Sequence, residues 1–155
     1  MDINYRIIIR SNHWPRRVVK VKKIVKRIFK YKRILKFDYK SVYFCNIVLM
    51  NDLLIKKFNK QYRKQNKFTD VLTFVSDFKK SSVIEKHCDI IISAETALID
   101  AKKSKKNFYD HFAHLIIHII LHINGYSHNS KKKFLSMKNK EIKILHKLGI
   151  SNPYL

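Results

Sequence analysis

The sequence predicts an α+β domain, a small sheet packed against helices, and three observations carry that prediction. Short apolar runs of strand length come first, and segments with helical spacing crowd the later part of the chain. The connections between them are short, with no internal repeat and no linker-like stretch. At 155 residues and 46% hydrophobic content the chain suits one domain over 1–155 with a real core, which excludes a disordered basic tail.

The elements follow in order. Residues 4–10 read as a short strand. Pro15 suits the first position of a helix, and Val18, Val21, Val25 and Ile28 then recur at helical spacing up to about Leu35. Residues 42–50 form a strand-like run. Asn51-Asp52 can cap a helix that continues to about Arg63. Val71–Val75 and Asp89–Ile92 read as two further strands. Ser93 is positioned to cap a helix from Ala94 to about Lys105, with Glu95 in its first turn. A histidine-rich helix begins near Phe108, and a basic helix runs from about Ser130 to Leu148 and stops at Gly149.

The most informative residues lie at the end of the histidine-rich helix: His118, His122 and His128. Two histidines four apart on a helix share one face, so both imidazoles can reach one ion. Asn124 and Gly125 then supply a stop, Gly125 being suited to the left-handed turn that swings His128 back as a third ligand. Three histidines on a tetrahedral zinc leave one position for water, as catalytic sites do. The offsets match the metzincin pattern, but the glutamate that serves those proteases as base is replaced by Ile119. His114, among apolar neighbours, is expected to pack behind the ligands. His111 is expected at the surface.

Charge suggests the substrate class. Lys and Arg number 34 against 11 Asp and Glu, a net +23, which points to a polyanion, nucleic acid first and an anionic membrane surface second. Part of the excess also fits a chain rich in Lys, Ile, Asn, Phe and Tyr with only two glycines, a compositional drift. Eleven basic residues fall between Arg16 and Lys36, either a solvated helix face or an RNA-facing one. Cys45 and Cys88 stand apart in the sequence and suggest neither a disulfide framework nor a metal knuckle. With no signal-like start and no membrane-length apolar run, the expected setting is cytosolic, with no membrane partner.

Three blocks together resemble the YbeY family of bacterial endoribonucleases. They are His118-Ile-Ile-Leu121-His122-Ile-Asn-Gly125-Tyr126-Ser127-His128; Phe58-Asn59 through Tyr62-Arg63 with Phe68-Thr69-Asp70-Val71-Leu72-Thr73-Phe74; and Cys88-Asp89-Ile90-Ile91-Ile92. They occur in the family's order across roughly residues 42–130. The departures are Ile119, Phe68 and Cys88, where the family has Gly, Pro and Gly, and Ser127, where it has Asp.

The resemblance implies a zincin-like fold with a mixed sheet, one Zn2+ held by His118, His122 and His128, and hydrolysis of precursor ribosomal RNA at the small-subunit 3′ end. It also implies ribosome quality control, with the ribosomal small subunit and assembly factors as partners. Arg63 matches the family arginine and is expected, with His118, to act in catalysis by meeting charge on the phosphoryl group. By spacing alone Arg63 would be a surface cation at a helix end. Asp70 could orient a zinc histidine or hold its loop. Asp89 receives no catalytic role, and Tyr126 could stack on a base or simply pack. Serine at 127 cannot act as a base at neutral pH. The rival expectation is therefore a basic RNA-binding protein that keeps its zinc site and has lost activity.

Overall fold

The computed structural model describes residues 3–155. Its elements are β1 (Ile3–Ile9), α1 (Val18–Phe29), β2 (Ser41–Met50), α2 (Asp52–Arg63), β3 (Val71–Lys80), β4 (Val83–Ser93), α3 (Ala94–Lys103), α4 (Phe108–Ile123) and α5 (Lys131–Leu148). The four strands form one mixed sheet in the order β1-β2-β4-β3. β1 and β4 each run parallel to β2, and β3 returns antiparallel to β4 at the edge. The α+β expectation, with the sheet against helices and the histidines on and just after one helix, agrees with this architecture.

Alternation along β2 divides the sheet's two faces. Tyr43, Cys45, Ile47 and Leu49 are buried against the helices, while the residues between them point to the opposite face. Cys88, Ile90 and Ile92 of β4 join the same core, with Val21, Val25 and Ile28 of α1 and Ile144 and Leu145 of α5. A smaller cluster of Met50, Ile55, Leu72 and Ile91 lies under α2 on the other face. The cysteines that stand apart in the sequence are register neighbours across β2 and β4, both buried and free.

α4 is the central helix and is rich in β-branched isoleucine, which costs helix propensity. Burial decides in its favour, because eight of its sixteen residues are buried. Asn107 caps it by accepting the Asp110 N–H at 2.9 Å. Trp14 fixes the chain between β1 and α1: fully buried, it donates from Nε1 to the Met50 carbonyl at 2.8 Å.

Four expectations are corrected. α1 ends at Phe29 rather than near Leu35, since three-residue turn bonds such as Tyr31 N–H to the Ile28 carbonyl replace the helical pattern. β3 and β4 extend well beyond their apolar inner halves into a hairpin closed at Ser81, whose φ is +56°. Residues 75–84 are all exposed, so no burial alternation marks those outer halves. Ser93 does not cap α3; its hydroxyl donates instead to Asp52 on α2. His111 is half-buried rather than at the surface.

Candidate metal centre and its cleft

α4 places His118 and His122 one turn apart, and the helix stops in a tight αL turn. Gly125 takes φ +88°, its N–H bonds to the His122 carbonyl at 3.0 Å, and Tyr126 N–H reaches the Leu121 carbonyl at 3.0 Å. The reversed chain returns His128, and one ring nitrogen from each of the three histidines falls within 4.8 Å of the others. His118 Nε2 and His122 Nε2 are 3.1 Å apart. Two ligands about 2.05 Å from a tetrahedral zinc would be separated by about 3.3 Å, so this pair fits such an ion.

Hydrogen bonds at the far side of the His118 and His122 rings settle which of their nitrogens is free. His122 Nδ1 is 2.9 Å from the Tyr126 carbonyl, which can only accept, so Nδ1 carries the proton and Nε2 keeps its lone pair. Burial, aided by the proximity of His118, lowers the pKa of His122 and favours this neutral form. His118 Nδ1 is 2.7 Å from Oε1 of Glu141. Burial pushes the Glu141 carboxyl up, but hydrogen bonds from His114, His118 and Tyr154 outweigh it and hold the pKa at about 2. An ionised Glu141 requires a proton on His118 Nδ1, so in the neutral ring the lone pair lies on Nε2, facing His122. Two lone pairs converging at 3.1 Å suit a cation between them.

Glu141 is the functional-site residue that sequence reasoning missed. Its side chain is 1% exposed, and it also accepts from His114 Nε2 at 3.1 Å and from the Tyr154 hydroxyl. His114 thus takes the packing role expected of it. A signal for Glu141 existed: α5 contains one acid among many lysines. That acid sits in the helical stripe of Met137, Ile144, Leu145 and Leu148, all buried.

Arg63 lies on the rim of the same site. A cleft of about 370 Å³ is lined by Arg63, Val71, Thr73, His118, Ile119 and His122, together with Val75 and Ile123. Its position depends on the loop that follows α2. Lys64 ends the helix in the left-handed region at φ +57°, and buried Asn59 donates through Nδ2 to the Lys67 carbonyl at 3.0 Å. Arg63 is exposed and ends its helix, as its spacing alone predicts, but the cleft puts it with the histidines.

The remaining expected residues separate clearly. Asp70 approaches His111 near the start of α4 and makes no hydrogen bond to the trio among the described residues. Thr69 bonds locally, to the Val71 carbonyl at 3.2 Å. Asp89 accepts from Asn46 Nδ2 at 2.7 Å on the sheet face away from α4. The Tyr126 ring packs against the main core, with Lys140 Nζ 5.4 Å from its centroid. Ser127 is half-buried between Tyr126 and His128. On α1, Lys22, Lys23 and Lys26 are exposed, while Arg27 donates to the Leu148 carbonyl at 2.9 Å.

Comparisons with known proteins converge on one family. The family model described as Endoribonuclease YbeY matches residues 8–149. A protein of Ruthia magnifica named endoribonuclease YbeY is 42% identical over 108 residues, covering 70% of this chain and 74% of its own length. Another with that name, from Ehrlichia chaffeensis, is 32% identical over 154 residues, covering 97% of this chain and 90% of its own. The solution structure of a Thermotoga maritima protein shares the fold with a TM-score of 0.58 at 24% identity, covering 94% of this chain and 91% of that one.

Proposed function

This chain belongs to the YbeY endoribonuclease family, and we propose that it is a zinc-dependent endoribonuclease that cuts single-stranded precursor ribosomal RNA. The observation that carries the reading is the shared cleft, in which Arg63 stands with two histidines whose lone pairs converge. His118, His122 and His128 would hold the ion. A zinc ion there would supply Lewis acidity toward a phosphodiester and the means to ionise water near neutral pH.

The chain's own residues do the rest. Glu141 keeps the proton on His118 Nδ1, and the Tyr126 carbonyl does the same for His122, so both rings stay oriented with Nε2 toward the cleft. Arg63 offers paired N–H donors to non-bridging phosphoryl oxygens and stabilises the charge that grows on them. Val71, Ile119 and Ile123 make part of the cleft's lining apolar, which lowers the local dielectric and strengthens those interactions. Ile119 stands where a metalloprotease carries its glutamate, and no acid of the trio's own helix replaces it.

The proposal extends to small-subunit 3′-end maturation and ribosome quality control, in the cytoplasm, by one domain over 1–155. RNA is the partner, and the ribosomal small subunit and assembly factors are the setting. No helix among the described residues is long and apolar enough to cross a membrane. A second reading, an RNA-binding protein with a retained zinc site, draws on Ser127 in place of the family aspartate.

The deciding experiment is zinc content measured beside cleavage of single-stranded ribosomal RNA, for wild type and His118→Ala. Stoichiometric zinc with cleavage that His118→Ala abolishes is the expected result. Zinc without cleavage selects the second reading, and cleavage that survives chelation removes the metal mechanism.

A further inference from the structure

Asp70, Asp100 and His111 converge from the start of β3, from α3 and from the first turn of α4, and we propose that they hold a second divalent cation. Its ligands are one carboxylate oxygen of each aspartate and Nε2 of His111. This inference does not depend on the reading of the trio as a nuclease centre.

One potential ligand atom from each of the three residues lies within 4.8 Å of the other two. No hydrogen bond or ion pair joins any two of them among the described residues. Separations within 4.8 Å accommodate the spacing across an ion with bonds of 2.0–2.4 Å, roughly 3 to 4.5 Å, after small side-chain rotations.

Two further observations point to a ligand. His111 Nε2 is closed off from solvent and has no hydrogen-bond partner, so a polar atom is left unsatisfied unless something bound supplies a partner. Burial lowers the pKa of His111, which favours the neutral imidazole that a metal requires. The second observation is charge. In a chain with 34 cationic and 11 acidic residues, the default surroundings of an aspartate are lysines. Asp70 nevertheless has no ion pair among the described residues, and Asp100 has only the exposed Lys103 at 3.9 Å. Two half-buried aspartates thus each bring a carboxylate oxygen within 4.8 Å of a ring nitrogen of His111. A divalent ion would neutralise both and complete the histidine.

The donor set selects the metal class. Carboxylates suit Mg2+, Ca2+ and Mn2+, and imidazole suits zinc and its first-row neighbours, so the mixed set favours Mn2+ or Zn2+. Distance separates this site from the trio. His111 precedes His118 by seven residues, about 10 Å along a helix, whereas cooperating metals in two-metal catalysis stand about 4 Å apart. The cation would instead tie the start of β3 to α3 and α4. Asp70 leads directly into Val71 and Thr73, which line the cleft, so the second ion would position that wall.

Manganese alone is the probe. Wild-type protein with its trio filled by zinc is titrated with Mn2+, and bound manganese is counted by electron paramagnetic resonance and elemental analysis. One additional Mn2+ per chain is expected, with an at least tenfold weaker affinity in Asp100→Asn and in His111→Gln. Circular dichroism confirms that both variants fold. His122→Ala, which removes the other centre, should still bind one Mn2+ and melt at a higher temperature with it than without. If the zinc-filled wild type takes up no manganese, or if Asp100→Asn and His111→Gln bind it as the wild type does, the proposal is wrong. Should His122→Ala fail to fold, the zinc-filled comparison decides alone.

Discussion

His118 Nδ1 lies 2.7 Å from Oε1 of Glu141, a residue on another helix whose side chain is 1% exposed. One face of a buried carboxylate thereby orients a metal-type histidine that presents its other nitrogen to the cleft. The same carboxylate also receives His114 and Tyr154, so three aromatic side chains depend on one acid.

Removing that acid should weaken the metal centre before it touches any ligand. Glu141→Ala is expected to lower metal affinity 10- to 100-fold, the usual range for a partner behind a ligating histidine. It should also lower stability, because His114 and Tyr154 lose a buried acceptor, at about 1–3 kcal/mol each. Chelator competition and thermal melting measure the two effects. Wild-type affinity in Glu141→Ala would show that His118 needs no carboxylate.

The same residue fixes an acid dependence in the metal-free protein. Its folded pKa of about 2 lies below the ordinary 4.5. The stabilisation is therefore complete above about pH 4.5 and is lost as pH falls from there toward 2. Two and a half pKa units correspond to roughly 3 kcal/mol. Urea midpoints taken between pH 6 and pH 2.5 should fall less steeply in Glu141→Gln than in wild type; parallel curves would mean that another group governs acid unfolding.

Arg63 should act on rate and leave metal alone. Arg63→Ala is expected to reduce RNA cleavage 100- to 1,000-fold, the scale of losing one preorganised charge donor, with metal content unchanged. Arg63→Lys keeps the charge without the paired donors and should recover only part of the rate. A parallel loss of bound metal would instead make Arg63 a structural residue.

Asn59 positions the Arg63 loop through Lys67. Asn59→Ala should cost about 1–3 kcal/mol by leaving that carbonyl unpartnered, and should slow cleavage while metal content holds. Cleavage unchanged per folded molecule would separate the loop from the site.

Charge reversal at Lys22, Lys23 and Lys26 tests the basic face of α1, and Arg27 is excluded because it bonds to the Leu148 carbonyl. If all three contact phosphates of a single strand, the slope of log affinity against log salt should become shallower by about 2. An unaltered slope would mark a solvated face.

How much of this was legible in the sequence follows from the range of each interaction. The spacing of His118, His122, Gly125 and His128 is local, set by the helical period and one αL turn, so the trio could be read from eleven consecutive residues. Arg63 came from a block in sequence, and only the fold shows that β3 folds back so that Val71 and Thr73 join it to the histidines. The outer halves of β3 and β4 escaped because both are exposed, which erases the alternation that marks a strand.

The sequence by itself determined the α+β class and the strong positive charge, through short-range periodicity and composition, and the family and the histidine trio, through contiguous motif blocks. Tertiary structure alone decided that Glu141 stands behind His118, that His111 is enclosed beside Asp70 and Asp100, and that Cys45 meets Cys88. Those relations join residues 11 to 43 positions apart. They arise from burying the apolar faces of α5, α3 and the sheet around α4, a constraint that acts through the packed core and leaves no fixed spacing along the chain.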